Sequence, residues 1–210
     1  LYFFRRAHEA IAGALIGSQA LGVTDLQKIT EGGFTISVDG TPITVTGLDF
    51  SSAKTQSDIA AFIQAKVTGT TVTFNTDQKN YRIVSNTTGN DSSVTYATDG
   101  TDVEALGTDV ATALGLTAAV GAVVSQGTAA MTPTQTMSAA VKQSENWVSF
   151  TTVYQASTEE ALELAAWSNS NLNKFLYCAY SMDAGQVAGG EESLPGQLAF
   201  NDYEGTINTY

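Results

Sequence analysis

Gly33-Phe34-Thr35-Ile36-Ser37-Val38-Asp39-Gly40-Thr41-Pro42-Ile43-Thr44-Val45-Thr46 is the stretch on which the fold class turns. Phe34, Ile36 and Val38 alternate with Thr35, Ser37 and Asp39, the period of two that marks a half-buried strand. Asp39-Gly40-Thr41 then turns the chain, and Ile43 and Val45 alternate with Thr44 and Thr46 in a return strand. Two alternating runs joined through Asp-Gly make a β-hairpin. Pro42 suits the first position of a strand or an edge, where no ladder N–H is required.

Downstream of the hairpin, Thr55 and Asp58 have capping-box spacing, with Asp in place of the usual Glu. Ile59, Phe62, Ile63 and Val67 line one face of the helix they open, and Gly69 ends it. Three strands are expected next, over Thr71 to Phe74, Tyr81 to Ser85 and Ser93 to Ala97. Their connections carry the turn formers Asn75-Thr76-Asp77 and Asn86-Thr87-Thr88-Gly89. A short helix from Thr108 to Leu114, closed by Gly115, and a strand from Val120 to Ser125 complete the unit at Gly127. Residues 29–127 thus read as a strand-rich α+β module with one principal helix.

The flanks have another rhythm. Leu1 to Phe4 reads as a strand, and Ala7 to Leu21 as a helix, with Gly13 and Gly17 placed for close packing on a sheet. Residues 128–133 form a connector, Gln135 to Gln143 a helix and Trp147 to Val153 a strand. Ser157 with Glu160 makes a full capping box, and Glu159 and Glu160 sit at the positive end of that helix. Leu162, Leu164, Ala165 and Trp167 supply its apolar side, and Phe175 to Tyr180 is a second strand. Strand, helix and strand at this spacing mean parallel neighbours joined by a right-handed crossover. The near-continuous apolar run of Phe175 to Tyr180 suggests cover on both faces. The expectation is α/β and α+β: residues 1–28 and 128–210 form a discontinuous, incomplete α/β domain interrupted by the module at 29–127. Strand-like sequence at both ends, with no initiator Met, reads as a fragment of a longer protein.

Composition narrows the function. The 210 residues carry 9 Lys and Arg against 21 Asp and Glu, a net charge of −12. Nucleic-acid binding is excluded as an expectation, because phosphate neutralisation needs a basic surface. Charged residues are only 14%, and Thr, with 29 copies, fills the gap, as suits sheet-rich structural or extracellular proteins. No run reaches the ~18 apolar residues of a membrane span. One cysteine, Cys178, rules out an internal disulfide framework and reads as a small buried hydrophobe.

Motifs for catalysis are missing. A nucleophile-and-base arrangement would have to use His8, the one histidine, and there is no G-x-S-x-G elbow. Neither phosphate-cradling glycine motif is present. Zinc would lack ligands. Asp99-Gly100-Thr101-Asp102 and Asp91 could offer oxygens to calcium, which needs six to eight, but Asx turns explain them better. Glu191-Glu192 reads as solvated charge. Asn86-Thr87-Thr88 and Asn90-Asp91-Ser92 match glycosylation sequons by chance in a Thr-rich chain. Trp147 and Trp167 read as core, the aromatics make no ladder, and Tyr203 and Tyr210 are open to either an interface or burial. No catalytic, cofactor-binding or metal-ligating residue is assigned, and the chain is expected not to be an enzyme.

Several segments together resemble a known family. Gly33 to Gly40, Val45-Thr46-Gly47-Leu48-Asp49-Phe50-Ser51, Ile59 to Val67 and Tyr81-Arg82-Ile83-Val84-Ser85-Asn86-Thr87-Thr88-Gly89 resemble the inserted module of bacteriophage contractile tail sheath-like proteins. Ala113-Leu114-Gly115-Leu116-Thr117 and Gly121 to Gly127 extend the likeness. Asn146-Trp147-Val148-Ser149-Phe150 and Ala161 to Trp167 resemble the α/β segment that follows, and Leu1 to Arg6 the strand before it. The hairpin-helix part alone also resembles flagellar hook-associated modules, and the Trp147 to Tyr180 stretch favours the sheath. The resemblance implies a structural subunit of a virion, made in the bacterial cytoplasm, stacked helically around a tail tube and contracting during DNA delivery. Implied partners are neighbouring sheath subunits, linked by added terminal strands, together with tube and baseplate proteins. The alternative is a non-enzymatic surface-binding or adhesion module. No spare arm is evident at either end, so this fragment is expected to be monomeric.

Overall fold

The computed structural model describes residues 9–98, 102–103, 108–172, 174–182 and 190–209. It is a mixed α/β structure that divides into two compact units. One runs from Glu9 to Ala130; the other contains Met131 onward.

In the first unit, β2 (Gly32–Val38) and β3 (Thr41–Leu48) form the expected antiparallel hairpin. Val38 pairs with Thr41, leaving Asp39 (φ 50°) and Gly40 (φ 78°) as a two-residue turn. Positive φ at both central positions gives the turn whose twist matches that of the strands. The principal helix, α2 (Gln56–Lys66), has its capping box: Asp58 N–H donates to Thr55 Oγ1, and Thr55 N–H donates to Asp58 Oδ2. Ile59 and Ile63 are fully buried on its inner face.

A four-stranded sheet, ordered β4-β5-β1-β8, faces this layer. It consists of β1 (Ala14–Ile16), β4 (Thr70–Asn75), β5 (Asn80–Ser85) and β8 (Val123–Ser125), all antiparallel to their neighbours. Strand β1 corrects the expectation of a helix over Ala7 to Leu21. The described part of that span, residues 9–21, holds no helix, and the single turn α1 (Val23–Leu26) follows it. Glycine explains the difference. A Cβ on Gly13 would lie 2.5 Å from Ser93 Cα, and one on Gly17 would lie 3.0 Å from the Tyr81 carbonyl oxygen. The two glycines do permit close packing, but on a strand, and residues 9–28 accordingly fall within the first unit.

Other elements differ in extent. Ser93 to Ala97 is not a regular strand; it follows β2 through isolated bridges of Val94 with Val38 and of Thr98 with Thr35. The two-residue strands β6 (Asp102–Val103) and β7 (Thr108–Asp109) pair with each other, and α3 (Val110–Ala113) follows, capped by Asp109. A 3-10 turn over Ala118–Val120 takes the start of the strand expected from Val120. The core is continuous, from Leu15, Phe34, Ile36 and Phe50 through Ile59, Tyr81 and Ile83 to Leu114.

The entering and leaving segments of this unit lie side by side. Ile11 N–H donates to Thr128 O at 2.9 Å and Thr128 N–H donates to Ile11 O at 3.1 Å. Gly127 is required there, since a Cβ on it would sit 2.4 Å from the Gly89 carbonyl oxygen.

The second unit has helices α4 (Pro133–Gln143), α5 (Thr158–Ser170) and α6 (Leu194–Phe200). Its three-stranded sheet is ordered β11-β10-β9. Strand β9 (Ser149–Phe150) is shorter than the expected Trp147 to Val153; β10 (Leu176–Tyr180) and β11 (Thr206–Thr209) follow. Both pairings are parallel, and α5 connects β9 to β10 as expected. The expected capping box of Ser157 with Glu160 forms, and Thr132, a residue of the expected connector, caps α4 with Gln135 in the same way. Leu1 to Phe4, His8, Asp99 to Thr101 and Tyr210 lie outside the described residues.

Candidate assembly surface

Parallel sheets are normally covered on both faces. Side chains alternate along β10, so Tyr177 and Ala179, with Phe175 just before them, point to one face. That face is closed by Ala161, Leu164 and Ala165 of α5 and by Leu194 and Leu198 of α6. The buried Ser168 hydroxyl ties α5 to the sheet, reaching the Phe175 carbonyl and, at 2.9 Å, the Gly205 carbonyl. Aromatic rings extend the seal. Phe175 stacks on Trp147 at 4.0 Å and on Trp167 at 5.5 Å, and Phe150 stacks on Tyr177 at 5.0 Å. The sequence spacing holds no aromatic ladder, yet the fold assembles these five rings around the starts of β9 and β10.

The opposite face corrects the expectation of cover on both sides. Leu176, Cys178 and Tyr180 are only half-buried. In register with them stand Ser149 beside Leu176, Ile207 beside Cys178 and Thr209 beside Tyr180. Ile207 is 49% exposed. Cys178 is therefore half-buried on a sheet face, not a core residue.

Among the described residues, β9 and β11 are the outer strands of this sheet. Neither β9 nor β11 carries a charged side chain, although charge is the usual protection for an edge. Around β9 the apolar groups Val148 (74%) and Val153 (83%) stand in solvent, with Tyr154 half out. The first unit leaves its β8 edge uncharged and exposed but covers its β4 edge. Gln64 of α2 covers the outer side of β4: Val72 N–H donates to Gln64 Oε1 at 2.5 Å, and Gln64 Nε2 donates to Thr70 O at 2.7 Å. One side chain there copies the hydrogen-bonding of a missing strand.

The residues weighed for chemistry do not converge. Asp91 and the Glu191-Glu192 pair are exposed in turns. Asn86 and Asn90 are exposed, and their side-chain oxygens accept from Thr71 Oγ1 and Ala129 N–H. Tyr203 packs partly against the second core. Among the described residues no group of three or more His, Cys, Asp or Glu side chains could hold a metal. No helix among them is long and apolar enough to cross a membrane.

Among the described residues, the sheet of the second unit keeps one face only half-buried. No curated protein matches the chain. A family model does, that of the E217 tail sheath protein gp31, insert domain, over residues 8–128. This span coincides closely with the first compact unit, Glu9–Ala130. It covers more than half of the sequence, and the chain belongs to this phage tail sheath family with its insert domain.

Proposed function

We propose that this protein is a structural subunit of a contractile phage tail sheath, assembling helically around the tail tube and contracting during DNA delivery. The residues on either side of the insert form one discontinuous α/β domain that makes the contacts with neighbouring subunits, and the insert stands outside those contacts. Tube and baseplate proteins are its further partners, and the tail of the virion is its location. The supporting observation is the half-covered parallel sheet, whose apolar outer face and uncharged edges ask for a neighbouring subunit. Repeated heterologous contacts of one such surface generate a helix of subunits.

The test uses the protein expressed from its complete gene, viewed by negative-stain microscopy. Hollow tubes with a helical repeat are expected from the wild type, and none from Ile207→Lys, which charges the open face of β11 while leaving the fold intact by circular dichroism. Normal tubes from a folded Ile207→Lys protein would refute the assignment of that face.

A further inference from the structure

The four-stranded sheet of the insert has a feature of its own. Its outer face carries a cleft of about 480 Å³ at the β4–β5 end. Arg82 stands in it, in register with Thr73 on one side and Ile16 on the other. Asn75 and Asn80, paired with each other, form the next row on the same face.

Arg82 is exposed, and among the described residues no ion pair engages its guanidinium, in a chain with more than two acids for every base. The described ion pairs involve lysines instead, Lys28 with Asp25 and Lys174 with Glu145. The two asparagines beside Arg82 are held in opposite senses. Asn75 Oδ1 accepts from Asp77 N–H and Gln78 N–H at 2.9 and 3.0 Å, which leaves its amide N–H groups to donate. Asn80, nearly buried, spends Nδ2 on Gly17 O at 2.7 Å, which leaves its oxygen to accept. A fixed donor, a fixed acceptor and a free guanidinium therefore share a cleft with Ile16, while the Phe74 ring packs on Tyr81 on the core side of the sheet.

We infer that this cleft binds a carboxylate-bearing saccharide, with Arg82 taking the carboxylate and Asn75 and Asn80 the ring hydroxyls. Guanidinium and carboxylate pair in a two-pronged hydrogen bond. Hydroxyls, which both donate and accept, match the opposed amides. Ile16, in register with Arg82, offers apolar surface to the C–H face of a sugar, and the volume suits a small ligand. A nucleic acid would demand many cations rather than one. A peptide adding to the sheet would meet Gln64 on the β4 edge.

The test is 15N-resolved NMR titration of the full chain with three probes: a disaccharide containing one uronic acid, its neutral counterpart, and acetate. Saturable binding of the uronate is expected, with shifts at Thr73, Asn75 and Arg82. It should exceed binding of the neutral sugar and of acetate by about tenfold, and Arg82→Gln, at an exposed position, should remove that advantage without lowering the melting temperature. The inference is overturned if the uronate shows no saturation by about 10 mM, if it binds no better than the neutral sugar, or if Arg82→Gln binds it equally well. Acetate binding as tightly as the uronate would reduce the cleft to a carboxylate site and overturn the saccharide. None of these outcomes bears on tube formation, so the sheath reading stands or falls separately.

Discussion

Asp39 joins the hairpin turn to the loop after β5, and its loss should loosen the whole insert. Its Oδ1 accepts from Ser93 N–H at 2.9 Å; its Oδ2 accepts from the Ser85 and Thr87 hydroxyls at 2.7 and 2.8 Å. A hydrogen bond to a charged group contributes about 1.5–3 kcal/mol, and about 1 kcal/mol is a fair value for each at this half-exposed site. Ala at φ 50° adds about 1 kcal/mol of backbone strain that Asp tolerates. Because the two hydroxyls can partly satisfy each other at 3.0 Å, Asp39→Ala should cost about 3 kcal/mol in total. Asp39→Asn keeps the turn and one acceptor, and should cost about 1 kcal/mol. Burial pushes the Asp39 carboxyl up, but the bonds from Ser93, Ser85 and Thr87 together hold it below its ordinary 3.8. A lowered carboxyl contributes stability that is present above the unfolded-state value and lost as pH falls through the folded one. The gap between wild type and Asp39→Asn should therefore close as pH drops below about 4. Both tryptophans, Trp147 and Trp167, lie in the second unit, so their fluorescence is blind to this change. Urea unfolding should be followed by amide exchange at Ser93 and along β2. An Asp39→Ala cost under about 0.5 kcal/mol, or an Asp39→Asn gap unchanged at pH 3, would refute the argument.

Three further outcomes are expected. Gln64→Leu strips Val72 N–H and Thr70 O of their partner, costs about 1–2 kcal/mol and opens the β4 edge; light scattering should then show concentration-dependent association, and a monodisperse variant of native stability would count against edge protection. Gly13→Ala places a Cβ 2.5 Å from backbone, where no rotamer can relieve it, so the insert should lose about 3 kcal/mol or more of stability, read as a lower melting temperature; a drop under about 4 °C would show that the β1–Ser93 contact is looser than described. Burial pushes the Tyr177 phenol up to about 12, so the second unit should lose stability as pH rises from 10 towards 12, and Tyr177→Phe should abolish that loss as read by tryptophan fluorescence.

The hairpin, α2, α4 and α5 were legible because their signals are local. Asp39-Gly40, Thr55 with Asp58, and Ser157 with Glu160 each span four residues or fewer. Strand β1 was not, because three residues are too few for a period, and Ile11, Ala14 and Leu15 also fall on one side of a helix. Its identity is imposed by β5 and β8, about 70 and 110 residues away. Likewise the apolar run of β10 says nothing about which faces are covered; that depends on where α5 and α6 pack. The Arg82 cleft needed three strands in register, and only Arg82's place in a sparse set of cations hinted at it.

The paired Ile11 and Thr128 have a mechanical meaning. A chain that enters and leaves a folded body through one antiparallel contact carries tension across that contact, not through the body beyond it. Pulling the flanking segments apart opens the Ile11–Thr128 bonds one after the other, like a zipper, before β1, β4 and β5 feel any strain. Under the contractile role proposed above, an insert hung this way would ride along as cargo. Its shape would then stay the same through a stroke, and its surface could vary without altering the flanking segments.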